Sequence, residues 1–152
     1  MIQTEEIFND RVANVVLQVG PDLLLVKRAS RLTFPRQWAL PGGFVDKKEK
    51  SHVAARRELY EEIGIDQLIL PTDKRSERTV QQIGGMGIQI AYYFKQVEPE
   101  VLLNIRPDPD EVMGYAIFSP LEVSRLIEYG MGITDQLTTA LNIIENIAND
   151  PA

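Results

Sequence analysis

Residues Gly43 to Ile65 read GFVDKKEKSHVAARRELYEEIGI, and the second half of this stretch has helical periodicity. At roughly 100° per residue, Ala55, Leu59 and Ile63 share one apolar stripe, and Glu58, Glu61 and Glu62 fall together beside it. Carboxylates three and four residues apart repel one another on a helix, so this grouping calls for a counter-charge. The simplest is a hard divalent cation such as Mg²⁺, which takes oxygen ligands. A solvated acidic face is the plainer reading of most glutamate clusters. These glutamates, however, border the apolar stripe instead of opposing it, and Pro41-Gly42-Gly43 leads into the segment as a glycine-rich turn. Gly64 stands where a helix ends on a left-handed residue.

Outward from this segment, 152 residues with 44% hydrophobic and 25% charged content suit one soluble globular domain. There is no cysteine, so disulfides, thiolate metal sites and cysteine nucleophiles are excluded. The opening MIQTEEIFND is acidic and lacks the apolar core of a signal peptide. No apolar run approaches the ~20 residues that span a bilayer. These features lead us to expect a cytoplasmic protein with no membrane partner. A net charge of −6 argues against a sequence-independent grip on nucleic acid, which needs clustered Lys and Arg. An anionic small molecule would have to be attracted locally, by a metal or by a few bases.

Upstream, VANVVLQV (Val12 to Val19) and LLLVK (Leu23 to Lys27) read as strands joined by the turn Gly20-Pro21-Asp22. Arg28 ends the second strand and, with Arg31 and Arg36, supplies the nearest positive charge before the Gly43–Ile65 stretch; Arg28 is the best placed to meet a phosphate. Trp38 reads as core packing, and His52 as packing in the first helical turn. Downstream, Ile65 to Leu70 and Arg78 to Ile83 read as strands, and GGMG (Gly84 to Gly87) as a hairpin turn. IQIAYYFKQV (Ile88 to Val97) is a strong strand with alternating aromatics, one face of which is expected to line a pocket. Residues 98–111, with three prolines and five acidic residues, read as a loop. A short strand, Gly114 to Phe118, follows it. Ser119-Pro120-Leu121-Glu122 is a capping box with proline at the first helical position, and Leu121, Leu126 and Ile127 form that helix's apolar face. A last helix starts at Thr134 or Asp135 and carries Leu137, Leu141, Ile144 and Ala148 at helical spacing. Strands with helices between and after them indicate an α+β or mixed α/β fold.

The central segment also resembles the signature of the Nudix hydrolases: Gly, five residues, Glu, seven residues, Arg-Glu-aliphatic, one residue, Glu-Glu, one residue, Gly-aliphatic. Gly43, Glu49, Arg57, Glu58, Leu59, Glu61, Glu62, Gly64 and Ile65 occupy these positions. From ordinary residue frequencies, a chance match at a given start is below about one in 10⁸. One departure is Lys48, where many members of the family carry glycine; a positive φ there would strain a lysine.

The resemblance implies a single Nudix domain over 1–152, folded as an α/β/α sandwich with a mixed β-sheet. It implies metal-dependent hydrolysis of a diphosphate linkage in a nucleoside diphosphate joined to another moiety. Nucleotide sugars, ADP-ribose and (d)NTPs stay open as substrates, because no subgroup pattern stands downstream of the box. Carried over position by position, the metal ligands are Glu58, Glu61, Glu62 and the carbonyl of Gly43, with Mg²⁺ as cofactor and Mn²⁺ as a substitute. Glu58, Glu61, Glu62 and Glu111 form the catalytic set, with Glu111 as a general base or further ligand. Arg57 and Glu49 brace the site, and Arg28 binds substrate. The expected partner is a small-molecule nucleotide, and a homodimer is compatible with the family. Two other readings remain: a regulatory module of this fold that senses a nucleotide sugar without cleaving it, and an isomerase. The complete glutamate set disfavours the first, and the missing cysteine disfavours the second.

Overall fold

The computed structural model describes residues 10–30, 32, 34–66, 74–83, 85 and 87–150. Seven strands form one mixed sheet: β1 (Asp10–Val19), β2 (Asp22–Arg28), β3 (Trp38–Ala39), β4 (Gly42–Phe44), β5 (Glu77–Ile83), β6 (Ile88–Val97) and β7 (Val112–Phe118). Among the described residues three helices accompany them: α1 (Ser51–Ile63), α2 (Pro120–Glu128) and α3 (Thr134–Ala148). β1 is the spine. One of its edges runs parallel to β6 from Asp10↔Ile88 to Val19↔Val97. Its other edge is shared, antiparallel, by β4 at Val12↔Phe44 and by β2 at Leu17↔Leu24.

Each strand of the spine is buried on both faces, which is why its sequence is a nearly continuous β-branched and leucine run. One face, with Ala13, Val15, Leu17 and Tyr93, packs on Ala55, Leu59 and Ile63 of α1. The opposite face, with Val16, Tyr92 and Phe94, packs on Val123 and Leu126 of α2 and on Leu137 and Ile144 of α3. The result is the helix–sheet–helix sandwich expected from the signature. The aromatics of β6 do not line a pocket as the alternation suggested. Tyr92, Tyr93 and Phe94 are all core, because both faces of the strand are covered by helices.

Most turns form where the local chemistry places them. Gly20 takes φ 60 in the two-residue connection between Val19 and its partner Asp22, a conformation that glycine adopts without a Cβ clash. β5 and β6 close antiparallel at Ile83↔Ile88, as a hairpin through 84–87 requires. The proposed strand Ile65 to Leu70 lies largely outside the described residues, as do Arg31 and parts of the 71–76 and GGMG loops; Ile65 and Asp66 are not in a strand. Residues 98–111 are not a bare loop, since Pro99–Asn104 forms a 3₁₀ turn with proline in its first turn.

The capping box at α2 is complete. Ser119 Oγ accepts from the Glu122 N–H at 3.1 Å, and Glu122 Oε1 accepts from the Ser119 N–H at 2.8 Å. Ser119→Ala is therefore expected to cost about 1 kcal/mol, read as a lower midpoint in urea with an unchanged slope. The apolar face of α2 differs from the sequence reading: Leu121 is 67% exposed, and Val123 is fully buried in its place. On α3, Ala140 and Ile143 join Leu137 and Ile144 in the core, while Ala148 is exposed. Among the described residues, no helix is long and apolar enough to cross a membrane.

Candidate active site

The box folds as strand, turn and helix. β4 hydrogen-bonds to the start of β1, and its two glycines are required by what lies beside them. A Cβ on Gly42 would collide with the Ala13 carbonyl and the Asn14 side chain. A Cβ on Gly43 would lie 2.5 Å from the Glu58 carboxyl carbon. Glu58 thus rests directly against the Gly43 backbone. α1 then ends at Gly64, whose φ of 75 is left-handed and whose N–H donates to the Tyr60 carbonyl at 3.0 Å. Lys48 carries no strain: among the described residues, only Phe34 and Arg36 combine a side chain with positive φ.

Arg57 is the hub of the polar network. Its Nε and Nη2 donate to the two Glu49 carboxylate oxygens at 2.9 and 3.0 Å. Nη1 donates to Glu58 at 3.0 Å and to Glu61 at 3.1 Å, and Nη2 also donates to the Phe44 carbonyl at 2.9 Å. This planar fork matches carboxylates in pairs. The Arg57 guanidinium holds the Glu49 carboxyl below the usual range. Glu49 also pulls the guanidinium pKa upward, so Arg57 is always charged. The loop 46–50 is held from the other side by Arg11, whose Nη2 donates to the carbonyls of Asp46 and Glu49 at 3.1 and 2.8 Å. Nothing near Arg11 in sequence suggests this role, because the contact depends on β1 lying beside β4.

The glutamates have unequal surroundings. Glu62 is 4% exposed, and its Oε1 accepts from the Gly42 N–H at 2.7 Å. Burial pushes its carboxyl up to about 8, despite that hydrogen bond. Burial likewise pushes Glu58 up to about 7, opposed by Arg57. Glu61 is the exposed member of the three.

Arg28 and Glu111 reach this cluster through the sheet. β2 pairs with β7, Arg28 opposite Val112, so the end of one strand lies beside the start of the other. Ala29 N–H donates to the Glu111 carbonyl at 3.2 Å. The charge of Glu111 raises the pKa of both Glu58 and Glu62, and that of Arg28 lowers the pKa of Glu62, so both are within electrostatic reach. Residues 105–111 are stapled to the end of α1, since the N–H groups of Arg106 and Asp108 donate to the carbonyls of Ile63 and Glu62 at 2.7 and 2.9 Å. Those carbonyls would otherwise lack partners at the helix terminus. Arg36, by contrast, is an exposed loop residue whose N–H closes the turn onto the Arg28 carbonyl at 3.0 Å.

Among the described residues, no three carboxylates are gathered tightly enough to hold a metal ion as they stand. Arg57 takes Glu58 and Glu61, and the Gly42 N–H takes Glu62. The donor chemistry nevertheless fits a hard cation. Buried Glu62 and half-buried Glu58 are pushed toward protonation by desolvation and by neighbouring negative charge, and a divalent ion relieves both.

A mixed sheet sandwiched by helices, with carboxylates clustered at one helix and its leading turn, is an α/β/α scaffold. The model for the NUDIX domain matches residues 8–138, and the chain belongs to the Nudix hydrolase family. It is 30% identical to the uncharacterized Nudix hydrolase NudL of Enterobacter sp., over 80% of this chain and 70% of that protein. It is 44% identical to the nucleoside triphosphatase NudI of Klebsiella pneumoniae, over only 39% of this chain and 41% of that one. The fold superposes on a C. elegans Ap4A hydrolase binary complex with a TM-score of 0.69 and 18% identity, covering 91% of this chain and 97% of the other.

Proposed function

We propose that the protein is a metal-dependent pyrophosphatase that cleaves the diphosphate linkage of a nucleoside diphosphate joined to a second group. The observation that carries this reading is that Glu58, Glu111 and Arg28, brought from three separate elements, all lie within electrostatic reach of the buried Glu62, with the pKa values of Glu58 and Glu62 raised. Perturbed carboxylates of this kind mark functional sites more than structural ones. Mg²⁺ or Mn²⁺ held by Glu58, Glu61, Glu62 and the Gly43 carbonyl would neutralise phosphate charge and acidify a water molecule for attack on phosphorus. Glu111, or one of the box glutamates, would accept a proton from the attacking water. Arg28, anchored at a strand end, contacts a phosphate oxygen. Arg57 and Glu49 keep the leading turn and the helix in register, so the carboxylates stay aimed at one point.

The test is a panel of nucleotide sugars, ADP-ribose and nucleoside triphosphates, with products resolved, in the presence and absence of Mg²⁺. Metal-dependent release of nucleoside monophosphate or diphosphate is the expected result. Tight binding of a nucleotide with no turnover in any condition would instead make this a sensing module.

The raised carboxyl values also set how stability depends on pH. In the unfolded chain Glu58 and Glu62 ionise near the ordinary carboxylate value of about 4.3. Folded, they hold their protons up to about 7 and 8. Between these limits the folded state binds more protons than the unfolded one, so stability falls as pH rises. Glu49 has the opposite shift, but its contribution is lost only at acid pH, outside this window. Chelator-treated protein is therefore expected to melt about 5–10 °C lower at pH 8 than at pH 5. Mg²⁺ should raise the melting temperature more at pH 8, where the carboxylates are ionised. A melting temperature flat in pH and indifferent to Mg²⁺ would count against both the burial and the metal site.

A further inference from the structure

A cavity of about 730 Å³ opens beside the acidic cluster, on the outer side of the end of α1. Two of its wall residues, Glu61 and Glu111, belong to the proposed catalytic set; Tyr60, Asn104, Arg106 and Asp66 are among the others. We infer that this cavity receives the second moiety of the substrate, and that this moiety is an uncharged polyol, a sugar or ribose, rather than a further phosphate chain. The inference rests on the pyrophosphatase reading and narrows it.

Three features of the wall lead there. The first is continuity: Glu61 and Glu111 are shared, so the cavity adjoins a diphosphate placed at the cluster. The volume, within the range of small-molecule sites, is large for the pyrophosphate end of a nucleoside triphosphate. The second is charge. Among the described residues of the lining, Asp66 and Asp108 join Glu61 and Glu111 against one cation, Arg106. A third phosphate would meet surplus carboxylate here. Hydroxyl groups are served well by the same side chains, since carboxylates accept, guanidinium donates, and an amide does both. The third is shape. Tyr60 is 62% exposed on the last turn of α1 and presents a ring, the kind of surface on which the C–H face of a sugar rests. A nucleobase would call for apolar walls on more than one side, and among the described residues of the lining Tyr60 is the one aromatic.

The wall is also preorganised. Arg106 is fixed by its N–H bond to the Ile63 carbonyl at 2.7 Å, and its Cβ would lie only 3.1 Å from a Cβ on Gly64. Glycine at that position therefore lets the 98–111 segment approach closely enough to form the cavity floor, besides ending the helix.

Steady-state kinetics on wild type, Tyr60→Ala and Asn104→Ala decide the matter, with a nucleoside diphosphate sugar and ADP-ribose set against a nucleoside triphosphate. Both residues are exposed, so the variants should melt like wild type. The expected result is a wild-type kcat/KM at least tenfold higher for the sugar-linked substrates. Each variant should raise KM for those substrates several-fold, with kcat little changed and the triphosphate unaffected. A triphosphate preferred by wild type, or variants that lower both substrate classes equally, would overturn the inference while leaving the pyrophosphatase intact. Failure to hydrolyse any substrate with Mg²⁺ or Mn²⁺ would instead remove the underlying reading, and the inference with it.

Discussion

Glu62→Gln is expected to lower kcat by about 10³-fold or more while leaving the melting temperature unchanged or raised. The size of the loss is that of removing one charged group from a preorganised phosphoryl-transfer site. The fold should tolerate the change because of the particular surroundings of Glu62. Its Oε1 accepts from the Gly42 N–H at 2.7 Å, and a glutamine carbonyl oxygen can accept the same bond. The carboxylate itself is a liability in the metal-free fold, since it is 4% exposed and its pKa is pushed up to about 8 by burial. A neutral amide of the same size removes that penalty at neutral pH. Opposite movements of activity and stability are what a residue held for chemistry shows. Measured side by side, kcat and thermal melting separate this from a structural glutamate, whose loss would lower both. Turnover within a few-fold of wild type would remove Glu62 from the reaction.

Arg57→Ala should have the largest effect on stability among the polar residues of the site, about 3 kcal/mol, or roughly 10 °C in melting temperature for a domain of this size. Arg57 is the shared partner of Glu49, Glu58 and Glu61, and side-chain exposures of 28% for Arg57 and 13% for Glu49 and Glu58 place the core of this network well inside the surface. Its removal leaves two partly buried carboxylates without their cation and the Phe44 carbonyl without its donor. The value is kept below that of a fully buried pair because Glu61 and one edge of the guanidinium meet solvent. Arg57→Lys should recover only part of the loss, because a single ammonium cannot serve both oxygens of Glu49 and still reach Glu58. Equilibrium urea unfolding of the three proteins tests this order. Equal stabilities would mean that the ion pairs contribute nothing beyond solvated charges. Added Mg²⁺ should restore part of the stability of Arg57→Ala, since a cation among the glutamates replaces some of the lost charge.

Much of the local structure was legible before any tertiary contact. The α1 stripe of Ala55, Leu59 and Ile63 is buried as its spacing requires, and Gly64 ends the helix in the left-handed conformation. The capping box at Ser119 forms both its bonds. These features succeed in sequence because each is decided within one turn of chain. The failures are of the other kind. Alternation along β6 was read as one open face, yet a strand with helices on both sides of its sheet has none. The helical period suggests Leu121 for the core, but Val123 is buried in its place and Leu121 meets solvent. Arg11 was not singled out at all, because its acceptors lie 35 and 38 residues away.

From the chain alone came the acidic box, its helix and turns, the apolar faces that make a helix–sheet–helix sandwich, and the expectation of carboxylate-based chemistry. All of these depend on residue types at short, fixed separations. The tertiary structure alone decided which carboxylates are buried and therefore perturbed. It also brought Arg28 and Glu111 together through the register of β2 against β7, and shaped the cavity between α1 and the 98–111 segment. Those properties are set by desolvation and by contacts between elements far apart in sequence. Burial and electrostatic reach are functions of distance in space, and the linear order of residues does not contain them.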